Sequence, residues 1–411
     1  MKFTAFFLTI IIILISSACT RDLSTEPGQP KVRALSQNEQ DIRQAGESFG
    51  LELFTKIVQE NKETNVFISP LSVSMALGMT LNGAAGETRT AMQNTLKFGD
   101  MSSEEINDAY LSLIELLTSI DPKVQFEIAN SIWAHADFEV EQDFIDTNKA
   151  FFDALVSRLD FRSAAAPSTI NSWVNEKTHG KIAKIIDKIP PEAIMYLINA
   201  IYFKGTWTYE FDKAETRDET FFVTETNRVQ VPFMRQTNEN FHYVQNDLFQ
   251  MIDLPYGNKQ FSMTVLLPKH DKSVDDVLSQ LDSANWTAWL SSMRRQKGTI
   301  QMPKFKLEYK KSLPKILSDM GMGVAFSNAA DFAGINKEKQ LAITEVIHKT
   351  FVDVYEEGTE AAAVTAVEVS LTSAGGSSQS FFMRVDRPFL FVIREKSSGI
   401  ILFIGHVITP E

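Results

Sequence analysis

The sequence predicts an α+β fold organised as one domain. Amphipathic runs with helical spacing crowd the first half of the chain, and strand-like apolar runs crowd the second half. The chain has 411 residues, of which 44% are hydrophobic and 30 are Phe, so it can fill a single large core. No Pro/Gly/Ser-rich linker and no internal repeat interrupts residues 39–411, so we expect one domain over that range.

The first eighteen residues have the anatomy of a secretory signal peptide. An apolar core from Phe6 to Ile15 follows a positively charged start and is too short to span a membrane comfortably. Cleavage before Cys19 would suit an ordinary signal peptidase, and it would also leave Cys19 first, as in bacterial lipoproteins. Ser16 departs from the lipoprotein pattern, in which Leu is usual three positions before the cysteine.

Cys19 is the only cysteine of the chain, which favours lipidation over a disulfide. Residues 19–38, which include Pro27 and Pro30, then form a polar tether. We therefore expect an exported protein, extracellular or periplasmic, that is either released or held at a membrane by a lipid on Cys19.

A capping box marks the first helix of the body. Ser36 is followed three residues later by Glu39, and apolar residues then recur at helical spacing. These residues are Ile42, Ala45, Phe49, Leu53 and Ile57. Further amphipathic runs cover residues 71–81, 103–117, 144–152 and 168–175, and strand-like runs cover residues 229–233, 261–267, 298–307 and 389–403. Helices before strands is the order that favours the α+β class.

The stretch from Glu356 to Ala366 has the pattern of a strand held in reserve. With period-two alternation, Thr359, Ala361 and Ala363 share one face, while Glu360 lies on the other. Such a segment could slide between two existing strands, with its small residues inward and its charge in water.

The residues before this stretch, Thr344 to Tyr355, alternate as a strand does, and Gly358 can serve as the hinge between the two. By composition alone, an exposed Ala/Thr-rich loop is the alternative interpretation.

Catalytic and metal-binding patterns are weak in this chain. Residues Gly46 to Gly50 match Gly-x-Ser-x-Gly around Ser48, but the match lies inside the first predicted helix with Phe49 on its core face, not on a strand-to-helix turn. The six histidines are scattered, and no metal-ligand spacing or Gly-rich phosphate loop is present. We expect no enzyme activity, no metal and no cofactor; a hydrolase using Ser48 is the alternative.

The order of six motifs along the chain resembles the serpin family of serine protease inhibitors. The motifs occupy Asn65–Met79, Asn82–Thr88, Ile170–Ile182, Asn199–Trp207, Leu254–Met263 and Met383–Ile393. The resemblance covers nearly the whole chain after the first forty residues. It implies a helical N-terminal half, a large central β-sheet, further sheets and an exposed reactive-centre loop.

The resemblance implies suicide inhibition of a target protease that attacks this loop and is trapped as the cut loop inserts into the central sheet. The family's spacing places the scissile bond between Thr372 and Ser373, with Leu371 to Thr372 as the neighbouring alternative. The segment 374–380 is several residues longer than the family norm, so this register is the weakest step. The implied hinge residues are Glu356, Glu357, Gly358, Thr359, Glu360, Ala361, Ala362 and Ala363.

Two further regions are implied by the resemblance. Ser69, Ser72, Asn199 and His348 correspond to the family's shutter, the region behind the central sheet that must open. All four can exchange hydrogen bonds, although plain structural packing explains them equally well. Trp207 corresponds to the breach, where loop insertion begins, and a core aromatic is its alternative reading.

The loop composition limits the partner. No Lys or Arg occurs between Gly358 and Met383, so a trypsin-like pocket would leave its buried acid unpaired. We expect elastase-like, chymotrypsin-like or subtilisin-like proteases, with a cysteine protease left open, and a monomeric inhibitor. The net charge of −12 argues against nucleic acid and an anionic membrane surface as partners. A non-inhibitory binding protein or chaperone is the alternative function.

Overall fold

The computed structural model describes residues 30–190, 193–338, 341–359 and 380–410. The predicted signal peptide and Cys19 lie outside the described residues. So do the hinge residues Glu360, Ala361, Ala362 and Ala363 and the scissile-bond candidates Leu371, Thr372 and Ser373.

The predicted helices are all present in the described residues. The helices run over Gln37–Glu60 (α1), Pro70–Leu81 (α2), Gly86–Leu96 (α3), Ser103–Ser119 (α4), Gln142–Phe152 (α5), Ala166–Lys177 (α6), Val274–Leu278 (α7), Ser283–Ser292 (α8) and Pro314–Leu317 (α9). The capping box of α1 is confirmed. Ser36 Oγ accepts from Glu39 N at 3.3 Å, and Glu39 Oε2 accepts from Ser36 N at 2.6 Å.

The strands are more numerous than the sequence suggested. They run over Val66–Ile68 (β1), Val124–His135 (β2), Leu155–Leu159 (β3), Met195–Thr206 (β4), Arg217–Phe222 (β5), Arg228–Gln245 (β6), Phe249–Tyr256 (β7), Phe261–Pro268 (β8), Arg294–Pro303 (β9), Phe305–Ser312 (β10), Ile347–Tyr355 (β11), Gly358–Thr359 (β12), Phe381–Arg384 (β13), Phe389–Glu395 (β14) and Ile401–Val407 (β15).

The α+β class is confirmed, and each half of the chain also contains elements of the other kind. Strands β2, β3 and β4 lie in the first half of the chain, and helices α7 and α8 lie in the second. The apolar run predicted over 298–307 breaks at Lys304 into β9 and β10, which belong to different sheets. The run over 389–403 is likewise the hairpin β14–β15. Pro303 in the first run and the polar residues Arg394 to Gly399 in the second lie where the strands divide.

Two sheets organise the described residues. The nine-stranded sheet has the order β1-β15-β14-β8-β7-β6-β9-β13, with β5 added on β6. The six-stranded sheet has the order β10-β11-β12-β4-β2-β3. Helix α2 contacts β4 of the second sheet and β15 of the first, and nearly all of its residues are buried. The core therefore lies between the sheets, with α2 inside it.

The N-terminal part of the described chain packs on this body. Lys31 N donates to Ile120 O at 3.0 Å, and the Arg33 guanidinium bonds both Glu39 and Ser112. Among the described residues, no helix is long and apolar enough to cross a membrane.

Candidate functional site

The hinge region begins as a tight hairpin at one end of the six-stranded sheet. Strand β11 ends at Tyr355, the chain turns at Glu356 and Glu357, and β12 runs back antiparallel with Thr359 opposite Val354. On its other side, β12 pairs with β4. These two residues of β12 therefore bridge β11 and β4, which share no ladder of their own within the described residues.

Gly358 is required by the closeness of β12 to β4. A Cβ atom at this position would lie 2.2 Å from the carbonyl oxygen of Gly205 and 2.8 Å from the Cα of Thr206. Both contacts are with backbone atoms, which cannot rotate away as a side chain can. Only glycine lets the hairpin dock here.

Thr359 is the first inward residue of the bridging strand. Its side chain is 2% exposed, and its hydroxyl lies 2.6 Å from the Tyr256 hydroxyl. Tyr256 is fully buried, and this burial raises the pKa of its phenol, so the hydroxyl stays protonated and able to donate. The period-two alternation of the sequence placed Thr359 on the inward face, and its side chain is buried in the sheet accordingly.

Trp207, the predicted breach residue, forms hydrogen bonds to two backbone carbonyl groups of the turn. Its backbone N donates to Glu357 O at 2.9 Å, and its indole Nε1 donates to Tyr355 O, also at 2.9 Å. The indole is 4% exposed and stacks on Tyr256 with ring centroids 4.3 Å apart. Trp207 is a core aromatic, and it also fixes the hairpin from which β12 starts.

The two glutamates of the turn are anchored by ion pairs. The Glu356 carboxylate, in a residue 5% exposed, lies 2.9 Å from Lys304 Nζ and accepts from Thr216 Oγ1 at 2.8 Å. Burial alone would raise the pKa of Glu356, but the Lys304 ammonium and the Thr216 hydroxyl hold it below its usual value. Glu357 pairs with Lys213.

Sequence reasoning missed Tyr256, Lys304, Thr216 and Lys213. Tyr256 lies 103 residues from Thr359 along the chain, and Thr216 lies 140 residues from Glu356. No local pattern marks such contacts. The only available signal for Tyr256 was its place in the Leu254–Met263 motif.

Three of the four predicted shutter residues meet behind the sheet. His348 Nε2 accepts from Ser69 N at 3.0 Å, and Ser69 Oγ accepts from Ser72 N at 3.2 Å. Ser69 Oγ also donates to Leu402 O on β15 at 2.7 Å. Burial lowers the pKa of His348 to about 4, so the imidazole is neutral and its Nε2 can accept.

Asn199 makes its hydrogen bond outside this cluster. Its Nδ2 donates to Asn130 Oδ1 at 2.7 Å, while Asn130 Nδ2 donates to Phe152 O. Asn199 Oδ1 is buried without a hydrogen-bond partner in the described structure. Asn199 stands on β4, across a cavity of about 200 Å³ that Ser72 and His348 also line.

The catalytic alternative receives no support from the geometry. Ser48 lies within α1, as predicted, and its hydroxyl is 3.0 Å from Ser283 Oγ. Phe49 beside it is fully buried. A nucleophile elbow requires a strand before the serine, and α1 begins eleven residues earlier, at Gln37. In the described parts of the chain, no group of three or more His, Cys, Asp or Glu could hold a metal ion.

Comparison with known proteins agrees with this architecture. The family model for serpins, described as serine protease inhibitors, matches residues 44–410. This chain belongs to the serpin family. Serpins act as protease inhibitors rather than as catalysts, so inhibition of a target protease is the general function that membership supports.

Individual relatives extend over nearly the same length. Intracellular coagulation inhibitor 2 of Tachypleus tridentatus is 32% identical over 90% of this chain and 91% of its own. The native structure of the thermophilic serpin tengpin is 34% identical, with a TM-score of 0.82 over 92% of this chain and 96% of that one. Human thyroxine-binding globulin complexed with thyroxine is 29% identical, with a TM-score of 0.83 over 91% of this chain and 99% of that one.

Proposed function

We propose that this serpin is a suicide-substrate inhibitor of serine-type endopeptidases. The protease cleaves the loop between Thr359 and Ser380, forms an acyl-enzyme and is trapped as the cut loop inserts between β11 and β4. The observation that supports this proposal above others is β12, because it already forms the first two positions of a strand between those neighbours.

The register of β12 defines the path of insertion. Continued along β4 from Gly205, it reaches the end of that strand at Met195 ten residues later. At about 1 kcal/mol net for each hydrogen bond, ten new ladder positions contribute on the order of 10 kcal/mol. That gain is comparable to the whole stability of an ordinary domain.

The inward face of the inserting segment fits the slot. Ala361 and Ala363 follow Thr359 at period two, so in the inserted state they would face the core on the same side. The far end of this path, near Met195, leads to the cavity of about 200 Å³ between the start of β4 and the segment that precedes β11. Small side chains can enter there with little steric cost.

The uncut protein would be a kinetic trap, as loop insertion in serpins requires. The loop is tied at one end by Thr359 within β12 and at the other by β13, which pairs in parallel with β9. A strand anchored at both ends cannot reach down the sheet. Cleavage between the anchors separates the segment that follows Thr359 from β13, so that it can extend β12 along β4.

The target is an elastase-like, chymotrypsin-like or subtilisin-like protease. The loop offers no Lys or Arg to a trypsin-like pocket, and we place the scissile bond at Thr372–Ser373 or, one residue earlier, at Leu371–Thr372.

The test is a protease panel of porcine elastase, chymotrypsin, subtilisin and trypsin. We expect covalent complexes that survive denaturing electrophoresis with the first three, and mass spectrometry of the released C-terminal peptide identifies the cleaved bond. Nicking within the loop by a non-target protease should raise the melting temperature strongly. An unchanged melting temperature after nicking would remove the basis of the proposal.

A non-inhibitory carrier or chaperone is the second candidate, favoured by the likeness to thyroxine-binding globulin. It predicts that no member of the panel forms a covalent complex, even where the loop is cut. The buried Thr359 and the docked Gly358 support the inhibitory alternative, because a bulky or charged residue at either position would obstruct insertion.

We also propose that the protein is exported and lipidated on Cys19, with the residues between Cys19 and Lys31 as the tether; from Lys31 on, the chain is bonded to the serpin domain, which shortens the expected tether of residues 19–38. The test is Cys19→Ser in the full chain. The variant should move from the membrane fraction to the soluble fraction, and the N-terminal peptide of the parent should carry the mass of a lipid. A parent protein already soluble and unmodified would exclude lipidation but not export.

A further inference from the structure

The N-terminal segment joins the body where strand β2 begins. Lys31 N donates to Ile120 O at 3.0 Å, directly after α4 ends. The chain then turns, with Val124 N donating to Asp121 O at 3.1 Å, and β2 starts at Val124. The tether that comes from Cys19 is therefore attached to the serpin domain at the start of β2.

The start of β2 lies two strands away from the hinge. Val124 pairs with Gly205 on β4, and Gly205 pairs with Thr359 of β12. Neighbouring strands are about 4.8 Å apart, so Lys31 lies within roughly 30 Å of Thr359. We call this end of the six-stranded sheet the loop end; it contains β12, the end of β4 and the start of β2.

Buried hydrogen bonds fix the point of attachment relative to the hinge. Asp121 is 3% exposed, and its carboxylate accepts from Asn258 N at 2.8 Å, in the turn between β7 and β8. In the same turn, Gly257 N donates to Thr206 O at 2.9 Å, and Thr206 pairs with Gly358. The root of the tether and the base of the loop thus belong to one bonded unit.

The length of the tether limits how far the loop end can lie from an anchor. Residues 20–30 separate Cys19 from Lys31, and a chain of that length spans at most about 40 Å. The opposite end of the sheet is more distant, because β4 starts at Met195, ten residues before Gly205, which is about 33 Å along the strand. An anchor at Cys19 therefore holds the loop end nearer to the membrane than the opposite end.

We propose that the anchored protein presents its loop end to the membrane and that its target is a protease retained at the same membrane surface. The inference rests on the proposed anchoring at Cys19 and on the proposed cleavage of the loop. The base of the loop would stay within about 70 Å of the bilayer surface. A protease domain of about 220 residues is roughly 45 Å across and fits within this layer, where confinement of both proteins raises their effective concentration.

The orientation is tested on phosphatidylcholine vesicles that contain a nickel-chelating lipid. The mature chain with Cys19→Ser carries a hexahistidine tag at its N-terminus, so the result does not depend on lipidation. Because Cys19 is the only cysteine, one dye can then be placed at Lys123→Cys or at Ala136→Cys, two exposed positions that flank the two ends of β2. We expect greater energy transfer to an acceptor lipid from position 123. Equal transfer, or greater transfer from position 136, would overturn the orientation.

The partner is tested with subtilisin, either tagged and bound to the same vesicles or free at the same total concentration. The measured quantity is the rate of loop cleavage, with or without a covalent complex. We expect bound subtilisin to cleave at least about tenfold faster than free subtilisin, and lengthening the tether by about thirty Gly/Ser residues should reduce this advantage. Equal rates for bound and free subtilisin would refute a membrane-held target. Faster cleavage without a covalent complex would support the membrane-held target and contradict only the proposed inhibition.

Discussion

The two sheets of this serpin differ in how their central strands are held. In the nine-stranded sheet, β8, β14 and β15 are buried along their whole length and pair in unbroken sequence from β7 to β1. In the six-stranded sheet, within the part of the chain that the structure describes, β11 and β4 are joined by the two residues of β12. The first sheet is therefore one continuous ladder of paired strands. The second is joined by a short element that can be extended, which is where the proposed mechanism acts.

The contrast shows why a mutation can have different consequences in the two sheets. A substitution in the nine-stranded sheet should lower the free energy of unfolding and leave the inhibitory mechanism intact. A change in β12 should alter the outcome of cleavage while the uncut protein remains folded. Single substitutions in each sheet can separate these two kinds of effect.

The largest expected effect is that of Thr359→Arg. Position 359 is 2% exposed and faces Tyr256, so a guanidinium would have to enter the sheet interior without a partner. We expect the inhibitor to become a substrate, seen as cleaved serpin without covalent complex on denaturing electrophoresis. Thr359→Ser keeps the hydroxyl and should inhibit normally. Full inhibition by the arginine variant would show that the inserting face is assigned wrongly.

A pair of glycine substitutions compares the sheets directly. Gly358→Ala would place a Cβ 2.2 Å from the Gly205 carbonyl, and Gly405→Ala would place one 2.2 Å from the Phe391 ring on β14. The first should raise the number of inhibitor molecules consumed per protease trapped, with little change in unfolding. The second should lower the free energy of unfolding by about 1–3 kcal/mol through overpacking and leave that stoichiometry unchanged.

Gly46→Ala serves as the control for both glycine variants, because nothing lies within 4 Å of its added Cβ. If Gly358→Ala and Gly405→Ala have the same effects on the free energy of unfolding and on the stoichiometry of inhibition, the proposed difference between the six-stranded and the nine-stranded sheet is wrong.

Acid should weaken both sheets through one buried histidine in each. Burial lowers the pKa of His348 on β11 and of His406 on β15 to about 4, below the usual 6.5. Each therefore contributes stability that is complete above pH 6.5 and is lost as the pH falls toward 4, up to roughly 3 kcal/mol per histidine.

The midpoint of unfolding in guanidinium chloride, measured from pH 7 to pH 4.5, tests this loss of stability. His348→Gln and His406→Leu should each remove part of the loss, and only His348→Gln should change the rate of spontaneous loop insertion. A pH dependence that survives both substitutions would assign the acid sensitivity to other groups.

The smallest expected effect is that of Tyr256→Phe. Phenylalanine keeps the stacking on Trp207 but leaves the buried Thr359 hydroxyl without its partner at 2.6 Å. We expect a loss of about 1–2 kcal/mol in the stability of the docked hinge, measured as faster hydrogen exchange at Gly358 and Thr359. Exchange unaltered relative to the parent would mean that this hydrogen bond does not hold β12.

Much of the helical structure could be predicted from sequence because its signals are local. The Ser36–Glu39 capping box lies within one helical turn, and the apolar spacing that follows it marks the buried face of α1. The inward alternation of His348, Thr350, Val352 and Val354 was equally visible, and all four are buried. The ends and partners of the strands were not visible in this way. Pro303 marks the break before Lys304, but no local signal shows that β9 and β10 belong to different sheets.

The candidate site divides in the same manner. The family resemblance implied Ser69, Ser72 and His348 together, and the structure brings them together across 279 residues of chain between Ser69 and His348. The resemblance also implied Asn199, whose amide bonds Asn130. The carboxylate of Glu356 finds Lys304 and Thr216, neither of which sequence reasoning named.

The sequence by itself determined the class of the fold, the positions of α1, α2, α4, α5 and α6, and the inward face of β11 and Thr359, because periodicity and capping depend on residues a few positions apart. Only the tertiary structure decided that two residues of β12 join β11 to β4, that the hydroxyls of Tyr256 and Thr359 form a hydrogen bond, and that Trp207 bonds the turn. The contacts of Thr359 with Tyr256 and of Trp207 with Tyr355 join residues more than a hundred positions apart, where pairing is set by the packing of whole sheets and leaves no local pattern in the chain.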